Sequence, residues 1–586
     1  MLKRLTLRHR TLSVVQTGNP QPTLPSRSEG LFIVMASVRK IDAQVVDWRN
    51  WDPSALCWVI ALTLGLIQSW ANRFYMGNDG VSYIDSADAY LRGGWHTVPN
   101  GSWNPLYSWL VGIAFSIFHP SPYWEYPVVQ LLNFLIYTLT VVAFEYFLRG
   151  LLTVRDPNET AIRVIAYGLF LWSSLILIGV WTVNADMLVA ACVYAAFGIL
   201  VRLRKAKTVG PVLCLTLGII LTVGYYSKAV MFPISLVVLS ITGILLPWRK
   251  TVIVAFVFVL LTAPLIVGIS RATGHLTVGD TGRVNYAWYV NGVAFRWWQG
   301  GPARSGNPIH PPRIMLNSPR VYEFGGVFPK ATYPIWYDFS YWYEGIHVWV
   351  DPHRQVTVLW TNLKWTLKLI GRLGGGFLLG WGVCFLLYKN KARIFDDLVE
   401  LWPVWAASLT GILLYCAVHI ESRYIGAFMV ALLLTGYSAV CARGTWLAAG
   451  VVAVALLWAI ILAPKPTAGA RYMPLYKTQG PSSWHTAQAL EGLGLHEDDK
   501  VASVCYSNRN NVLWARLARV HIVAETDWDV DFWHLSEADQ RRVLTALKRS
   551  GALIAVSDEI PPDPTQAVGW QRAGNTNYYA YVLSQL

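Results

Sequence analysis

Long apolar runs, separated by short polar segments, fill most of the chain. Many of these runs approach about 20 residues, which is the length at which an α-helix crosses the hydrocarbon core of a bilayer. The pattern therefore predicts an α-helical polytopic membrane protein. The candidate spans are residues 54–72, 127–148, 163–183, 186–201, 211–227, 229–247, 251–270, 372–388, 400–418, 424–441 and 445–463.

One further apolar run, residues 105–118, is shorter, and this length is typical of re-entrant or interfacial helices. With that run at the interface and the N-terminus inside, every basic cluster between spans falls on the cytoplasmic side, as the positive-inside rule requires. The prediction is about 11 spans, a cytoplasmic N-terminus and an extracytoplasmic C-terminus. The basic clusters are Arg149–Arg163, Arg202–Lys207, Trp248–Lys250 and Lys389–Arg393.

The composition supports the same class of protein. Hydrophobic residues make up 54% and charged residues 14% of the chain, whereas a soluble chain carries about 25% charged residues. The net charge of +14 comes from basic residues between apolar runs, which indicates a cytoplasmic face and not a nucleic-acid-binding surface. The cysteines form no CxxC pair, so the sequence indicates neither a metal site nor a disulfide framework. Residues 1–50 are basic and polar and are interpreted as a disordered cytoplasmic tail.

An acidic stretch, NDGVSYIDSADAYLRGGW, follows the first predicted span on the outer face. Its apolar positions from Val81 to Leu91 recur with a helical period, which predicts a short amphipathic helix along the membrane surface. Ser82 and Asp85 are spaced as a capping pair for that helix. Asp79 precedes the predicted helix, and it is either an ordinary turn residue or a functional acid.

Other polar positions on the predicted outer face also have two interpretations each. Asp186 begins a predicted span, and it either caps its helix or has a function, because an acid there is otherwise costly. Lys228 lies between two apolar runs, where it either extends to the interface or meets a phosphate. His419, Glu421 and Arg423 share one turn, and the last two either pair with each other or contribute to a site.

In their order along the chain, these residues resemble the GT-C membrane glycosyltransferases, particularly the bacterial branch related to protein O-mannosyltransferases and the lipid A aminoarabinose transferase. The shared pattern begins with an acid and an amphipathic helix after the first span, followed by a Pro-Leu piece that opens a short apolar segment. Farther along the chain, an acid opens one span, a Lys closes another, and an Arg-Tyr pair opens a late span. The resemblance covers residues 51–463, the predicted catalytic domain. The matching stretches are Asn78–Tyr83, Trp103–Tyr107, Asp186, Lys228 and Arg423–Tyr424.

The resemblance implies an enzyme that moves a sugar from a polyprenyl phosphate or diphosphate to an acceptor glycan, lipid or protein, with inversion. The reaction would take place on the outer face of the plasma (inner) membrane. Asp79 is implied as the base for the acceptor hydroxyl, with Asp186 either orienting the acceptor or assisting that acid. Lys228 and Arg423 are implied as the cations for the leaving phosphate. The secondary candidates are Tyr83, Asn104, Asp338, His419 and Glu421.

Two departures from the family pattern bear on a divalent metal. Asn78 stands where many members have a second acid, and Asn104 stands where many have His or Lys before proline. Both departures remove candidate ligands, and since hard cations prefer several oxygen ligands, metal dependence stays open. The alternatives to an enzyme are a transporter or flippase, for which internal repeats are expected, and a non-catalytic binder of the same lipid. The clustering of acids and bases at one face favours the enzyme.

Two outer segments remain, the loop 271–355 and the tail 464–586. The loop is rich in Trp and Tyr, which is typical both of interfacial anchoring and of sugar binding, and it contains Asp338. The tail has the pattern of a separate small α/β domain. It has no phosphate loop or catalytic triad, so we expect it to recognise the acceptor or to pack over the site. Its predicted elements are strands at 501–505, 552–557 and 578–583 and a helix at 536–548.

Overall fold

A computed structural model describes most of the chain. The predicted tail 1–50 and Asp338 lie outside the described residues, and so does most of the last predicted span. Where it is described, the protein is mostly helical with one small sheet, as the sequence predicts. The described residues are 54–92, 101–152, 159–293, 313–324, 331–337, 348–387, 391–440, 448–454, 482–504, 512–527, 529–562 and 567–586.

Apolar helices make up the larger part of the described structure. Six of the described helices are long and apolar enough to cross a membrane, or up to eight if each of two bent pairs counts as one span. These helices indicate a multi-pass membrane protein, whereas the count of 11 spans stays a prediction. The helices are α1 (Ser54–Ala71), α2 (Asn78–Leu91), α3 (Pro105–Phe118), α4 (Pro122–Leu151), α5 (Glu159–Leu171), α6 (Asp186–Lys205), α7 (Pro211–Ser227), α8 (Met231–Leu245), α9 (Trp248–Thr273), α10 (Thr281–Asn285), α11 (Pro334–Tyr337), α12 (Pro352–Leu373), α13 (Gly375–Leu387), α14 (Lys391–Glu400), α15 (Trp402–Cys416), α16 (Ser422–Val440), α17 (Ser482–Glu491), α18 (Val512–Leu517) and α19 (Glu537–Arg549).

Helices α4 and α6 pack against each other along much of their length. Gly198 allows this close approach, because a Cβ atom there would lie 2.6 Å from the ring of Tyr146. Near the same point Arg202 donates a hydrogen bond of 3.0 Å to the carbonyl of Tyr146. Asp186 begins α6 and Arg202 lies close to its end, so the two are separated by roughly 24 Å along the helix. The basic cluster and the acid therefore lie at opposite ends of the bundle.

The basic end of the bundle contains an ion network centred on the carboxylate of Glu145. The Glu145 carboxylate accepts hydrogen bonds of 2.7 Å from Arg149, 2.9 Å from Arg163 and 2.8 Å from the hydroxyl of Tyr167. Both of its oxygens are therefore satisfied inside the helix bundle, which is what a buried structural carboxylate requires.

Helix α2 begins at Asn78, earlier than its apolar period predicts. Asp79 therefore lies in the first turn of the helix, and the prediction that it precedes the helix is wrong. Ser82 lies inside the helix and does not cap it, because Gly77 is the N-cap and has an extended backbone (φ −91°, ψ 165°). Asp85 consequently has partners other than a helix N-terminus.

A seven-stranded sheet lies near the C-terminus in the order β1-β2-β4-β3-β5-β7-β6. Strand β3 runs parallel to β4 and β5, and the other pairs are antiparallel. The predicted strands at 501–505, 552–557 and 578–583 correspond to β3, β5 and β7, and α19 begins after Ser536, whose hydroxyl accepts a hydrogen bond from the Asp539 backbone. The strands are β1 (Arg313–Asn317), β2 (Arg320–Glu323), β3 (Lys500–Ser503), β4 (His521–Thr526), β5 (Ile554–Ser557), β6 (Trp570–Arg572) and β7 (Tyr579–Val582).

The first two strands of this sheet come from the long loop 271–355 and not from the tail. Strand β2 pairs with β4, and Tyr322 lies opposite Glu525 in their register. The sequence analysis did not predict these strands, because it considered the loop only for its aromatic residues. The sheet therefore joins two segments of the chain, while the domain boundary at residue 464 stays a prediction.

Candidate functional site

The N-terminal turn of α2 places Asp79 close to the start of α6. Gly80 makes this approach possible, because a Cβ atom there would lie 3.0 Å from Val183 and 2.2 Å from the sulfur of Met76. The turn sequence Asn-Asp-Gly thus has a packing reason for its glycine. The Asp79 side chain retains 34% of its exposure, and a carboxylate in the first turn of a helix interacts favourably with the helix dipole.

Asp186 and Lys228 form a close ion pair between two helix ends. Asp186 begins α6, and its backbone N–H donates a 2.9 Å hydrogen bond to the side chain of Asn184. Lys228 follows the last residue of α7, and its Nζ lies 2.5 Å from Asp186 Oδ1. The Asp186 side chain is only 3% exposed, whereas that of Lys228 is 27% exposed. The lysine therefore neutralises a buried carboxylate and still presents part of its ammonium group to solvent.

Arg423, in the first turn of α16, lies among three carboxylates. Its Nε donates a 2.7 Å hydrogen bond to Glu421, lies 3.4 Å from Asp186 Oδ2, and its Nη2 lies 3.6 Å from Asp79 Oδ2. Among the described residues, no donor forms a hydrogen bond with Asp186 Oδ2. Three separate chain segments thus meet at one guanidinium group, and one buried carboxylate oxygen beside it accepts no hydrogen bond from the described residues.

Aromatic rings surround these charges. The Lys228 ammonium lies 3.9 Å from the centre of the Tyr424 ring, and the ring of Tyr415 stacks on that of Tyr424 at 5.0 Å. His419 stacks on Tyr289 with a centroid distance of 3.9 Å and an angle of 5°. Such faces attract cations and provide flat apolar surfaces beside the ion pairs.

Glu421 is held as an anion by its neighbours. Burial raises the pKa of its carboxyl, but hydrogen bonds with His419 and Arg423 and the charge of Arg423 outweigh burial, so that the pKa lies well below its usual value. The distance from His419 Nε2 to the Glu421 carboxylate is 3.3 Å. Glu421 is therefore an ionised partner that orients Arg423 and His419, and it is poorly suited to accept a proton.

Two secondary candidates lie beside the charges and make mainly structural contacts. Tyr83 is buried, with its ring 4.9 Å from each of the rings of Trp103 and Tyr107. Burial and the nearby charges of Asp186 and Asp79 raise the pKa of its hydroxyl well above the usual value, so it stays protonated. The side-chain amide of Asn104 donates a 2.6 Å hydrogen bond to the carbonyl of Tyr225, which ties the start of α3 to the end of α7 near Lys228.

The structure thus brings together Asp79, Asp186, Lys228, Arg423, Glu421 and His419, which the sequence analysis selected as separate candidates. It adds Tyr289 and Tyr415, which the sequence analysis missed. Tyr415 lies inside an apolar run and Tyr289 in an aromatic-rich loop. No local pattern distinguishes either residue from ordinary packing or interfacial aromatics.

The donor set does not favour a divalent metal. In the described part of the chain, no group of three or more His, Cys, Asp or Glu side chains is arranged to hold a metal ion. The three carboxylates of the site instead face the Arg423 guanidinium, and Asp186 also binds Lys228. The cations Lys228 and Arg423 suit an anionic ligand, which would compete with these carboxylates for them. No step proposed below depends on a metal.

No family model and no curated protein sequence matches the chain. Among solved structures, the chain is similar to the Archaeoglobus fulgidus oligosaccharyltransferase in complex with zinc and sulfate, with a TM-score of 0.45 and 13% identity over 86% of this chain and 68% of the other. It is also similar to ArnT from Cupriavidus metallidurans in the apo state, with a TM-score of 0.39 and 12% identity over 95% and 99% of the two chains.

A third similar structure is ArnT from Cupriavidus metallidurans bound to undecaprenyl phosphate, with a TM-score of 0.38 and 12% identity over 89% of this chain and 98% of the other. These proteins are of the kind that the sequence motifs resemble. At such TM-scores and identities the similarity assigns no activity and no residue role to this chain, so the proposals below are argued from its own side chains.

Proposed function

We propose that the protein is a glycosyltransferase that moves a sugar from a polyprenyl-phosphate-type lipid donor to a hydroxyl-bearing acceptor. The observation that carries the proposal is the convergence of Asp79, Asp186, Lys228 and Arg423 from four separate segments. Partly exposed cations, an accessible carboxylate and neighbouring aromatic faces are what a phosphate leaving group, an acceptor hydroxyl and a sugar ring require.

The two carboxylates have different environments and therefore different proposed roles. Asp186 is almost fully buried and bound to Lys228 at 2.5 Å, so it holds the cations in place. Asp79 is 34% exposed, and its distance of 3.6 Å from Arg423 is the longest of the ion contacts in the site. Of these two carboxylates, Asp79 is the one that an incoming acceptor reaches more easily. Asp79 is therefore the proposed general base.

The proposed reaction is a single displacement with inversion. The acceptor oxygen attacks the anomeric carbon and gives its proton to Asp79, while the bond between the anomeric carbon and the phosphate oxygen breaks. The polyprenyl phosphate leaves with the bonding electron pair, and its added negative charge is stabilised by Lys228 and Arg423. Their side chains are 27% and 20% exposed, so a phosphate can reach both.

The test is a turnover assay with the purified protein in liposomes and a panel of polyprenyl-phosphate sugars. Release of polyprenyl phosphate together with appearance of the sugar on an added acceptor is the expected result. Movement of intact donor between the leaflets, without bond cleavage, would replace the proposal with a transporter. If the protein binds the donor but neither cleaves it nor moves it between the leaflets, whichever acceptor is added, the proposal would be replaced by a non-catalytic binder.

A further inference from the structure

A second ion cluster lies farther along α2, around Arg516 of the C-terminal region. Arg516 lies on the short helix α18 and is buried. Its guanidinium contacts Asp85 at 3.1 Å and Asp88 at 2.6 Å, both on α2, and binds both oxygens of Glu125 on α4 at 2.9 and 3.2 Å. One side chain thus joins the C-terminal region to two helices of the apolar bundle.

Asp85 is fixed from two sides in this cluster. Besides Arg516, it accepts hydrogen bonds from the backbone N–H and the hydroxyl of Thr332, at 2.8 and 2.9 Å. Thr332 lies in the segment of the long loop that precedes α11, and the backbone N–H of Ile522 in β4 donates to its carbonyl. The sheet, the long loop and α2 are therefore connected through one carboxylate.

The same helix carries the proposed base. Asp79 and Asp85 are six residues apart on α2, which corresponds to about 9 Å along the helix axis. A helix transmits a shift at one end to the other because its backbone hydrogen bonds make it stiff. A rotation or slide of α2 that breaks its contacts with Arg516 therefore moves the carboxylate of Asp79 as well.

We propose that Arg516 is a positioning residue that sets the place of Asp79 in the site by holding α2. This inference rests on the proposed function, since it assigns Asp79 its catalytic role. The C-terminal region would then contribute to the reaction by fixing the orientation and axial position of α2, the helix that carries Asp79. A displacement of about 1 Å at a reacting group costs up to roughly 100-fold in rate.

Arg519 provides the matched control for Arg516. It belongs to the same segment and also approaches Glu125, at 3.5 Å, but its other ion contact is Glu497. No ion pair or hydrogen bond of Arg519 with α2 occurs among the described residues. A change at Arg519 removes the same charge from the same region and leaves the hold on α2 intact.

The surroundings lower the cost of replacing Arg516. A cavity of about 280 Å³ adjoins the cluster and is lined by Asp88, Glu125, Arg516 and Arg519, among others. Water in this space can hydrate the carboxylates that Arg516 releases, which lowers the cost of leaving them unpaired.

The experiment compares Arg516→Met, Arg516→Lys and Arg519→Met with the wild-type protein in the liposome assay. We expect Arg516→Met to lower kcat by at least about 10-fold with the donor KM within about 2-fold of wild type, because α2 moves while the phosphate-binding cations stay. Arg516→Lys should recover part of kcat, since one ammonium replaces some of the contacts. Arg519→Met should stay within about 2-fold of wild type.

Amide hydrogen exchange of residues 78–91 provides an independent readout. We expect faster exchange across α2 in Arg516→Met than in Arg519→Met or the wild type. Equal kcat values and equal exchange in the two Met variants would overturn the inference. If the wild type turns over no donor, the proposed function fails. The exchange data then still test Arg516 separately, because wild-type exchange across α2 in Arg516→Met would show that Arg516 does not hold this helix.

A second variant covers the case in which Arg516→Met does not fold. Asp88→Ala removes the 2.6 Å contact with Arg516 and leaves Asp85 and Glu125 paired. A kcat lowered by about 3- to 10-fold, with unchanged donor KM, is expected. An unchanged kcat for this folded variant would overturn the inference.

Discussion

Helix α2 carries one ion cluster at its beginning and another towards its end, and the two differ in how completely they are satisfied. Around Arg516, three carboxylates converge on one guanidinium at short hydrogen-bonding distances. Around Arg423, Asp186 Oδ2 accepts no hydrogen bond from the described residues, and Asp79 lies 3.6 Å from the guanidinium and is partly exposed.

This difference distinguishes an ion cluster that stabilises the fold from one that can bind a ligand. A buried charge whose hydrogen bonds are complete has no capacity left for a ligand and stabilises one arrangement of the chain. A cluster with an unsatisfied acceptor and partly exposed cations retains that capacity, and a buried polar group without a hydrogen bond calls for an explanation such as a catalytic role. The network around Glu145 at the opposite end of the bundle is complete and belongs with the Arg516 cluster.

The largest effect among substitutions that test this comparison is expected at Arg423. Arg423→Met removes the group shared by three carboxylates and one of the two cations proposed for the donor phosphate. We expect kcat/KM to fall about 100- to 1,000-fold, the loss seen when a donor to a developing anion is removed. Initial rates of polyprenyl-phosphate release measure it, with Arg542→Met on the surface of α19 as the control. A loss below about 3-fold in a folded variant would contradict the role of Arg423.

A double substitution separates the structural part of the Lys228 pair from its functional part. Lys228→Met leaves Asp186 buried with only Arg423 nearby, so the free energy of unfolding should fall by about 3 kcal/mol. Adding Asp186→Asn removes the unpaired charge and should restore most of that loss. Denaturant unfolding in detergent measures both. Neither variant should bind the donor at wild-type affinity, and normal donor binding by the stable double variant would remove Lys228 from the phosphate site.

Gly80→Ala tests whether the close approach of α2 to Val183 sets the site. The new methyl group would lie 3.0 Å from Val183, so the first turn must shift and carry Asp79 with it. We expect kcat to fall about 10-fold and the free energy of unfolding to fall by about 1–2 kcal/mol. Gly371→Ala in α12, where nothing lies within 4 Å, is the control and should leave kcat unchanged. Equal behaviour of the two variants would show that the contact does not place Asp79.

The smallest effect concerns the pH dependence of the Arg516 cluster. Burial raises the pKa of the Asp85 carboxyl from 3.8 to about 6, against the opposing charge of Arg516 and the hydrogen bonds from Thr332. The folded state therefore binds the proton more tightly than the unfolded state, so the contribution of Asp85 to the free energy of unfolding is largest below pH 4 and is lost as the pH rises through 6.

The Asp85→Asn variant has no titrating group at this position. The Tm of this variant minus that of the wild type should therefore become more positive as the pH is raised from 5 to 7. The other charged groups facing this position, Asp88, Glu125, Arg516 and Arg519, are the same in both proteins. Thermal unfolding across this pH range measures the difference. A Tm difference that does not change with pH would contradict the raised pKa.

The sequence predicted the membrane class and three strands and one helix of the C-terminal region, and it selected as separate candidates the polar residues that meet at one end of the bundle. These features depend on local patterns: apolar runs, helix-end acids, and alternation along strands. Lys228 and Asp186 are 42 residues apart, and their pairing follows only from how α6 and α7 pack. The start of α2 was placed too late, because the apolar period begins at Val81 whereas the backbone turns at Gly77.

The Arg516 cluster was not predictable because its members are separated by several hundred residues. Arg516 contacts Asp85 across 431 residues and Glu125 across 391 residues. In the sequence, Asp85 fitted a capping pair, and nothing near Arg516 indicated a partner. The two strands contributed by the long loop escaped prediction for a similar reason, since β2 joins the sheet by pairing with β4 of the tail.

The most direct test of the central claim is the rate of polyprenyl-phosphate release by wild type and Asp79→Asn at saturating donor and acceptor, with donor affinity measured on the same samples. Asn preserves the shape of the side chain and removes its ability to accept a proton. The account predicts a loss of at least about 100-fold in turnover with donor affinity within about 3-fold of wild type. Equal rates of release by the two proteins would contradict it, because Asp79 would then be a residue of the helix and not the base.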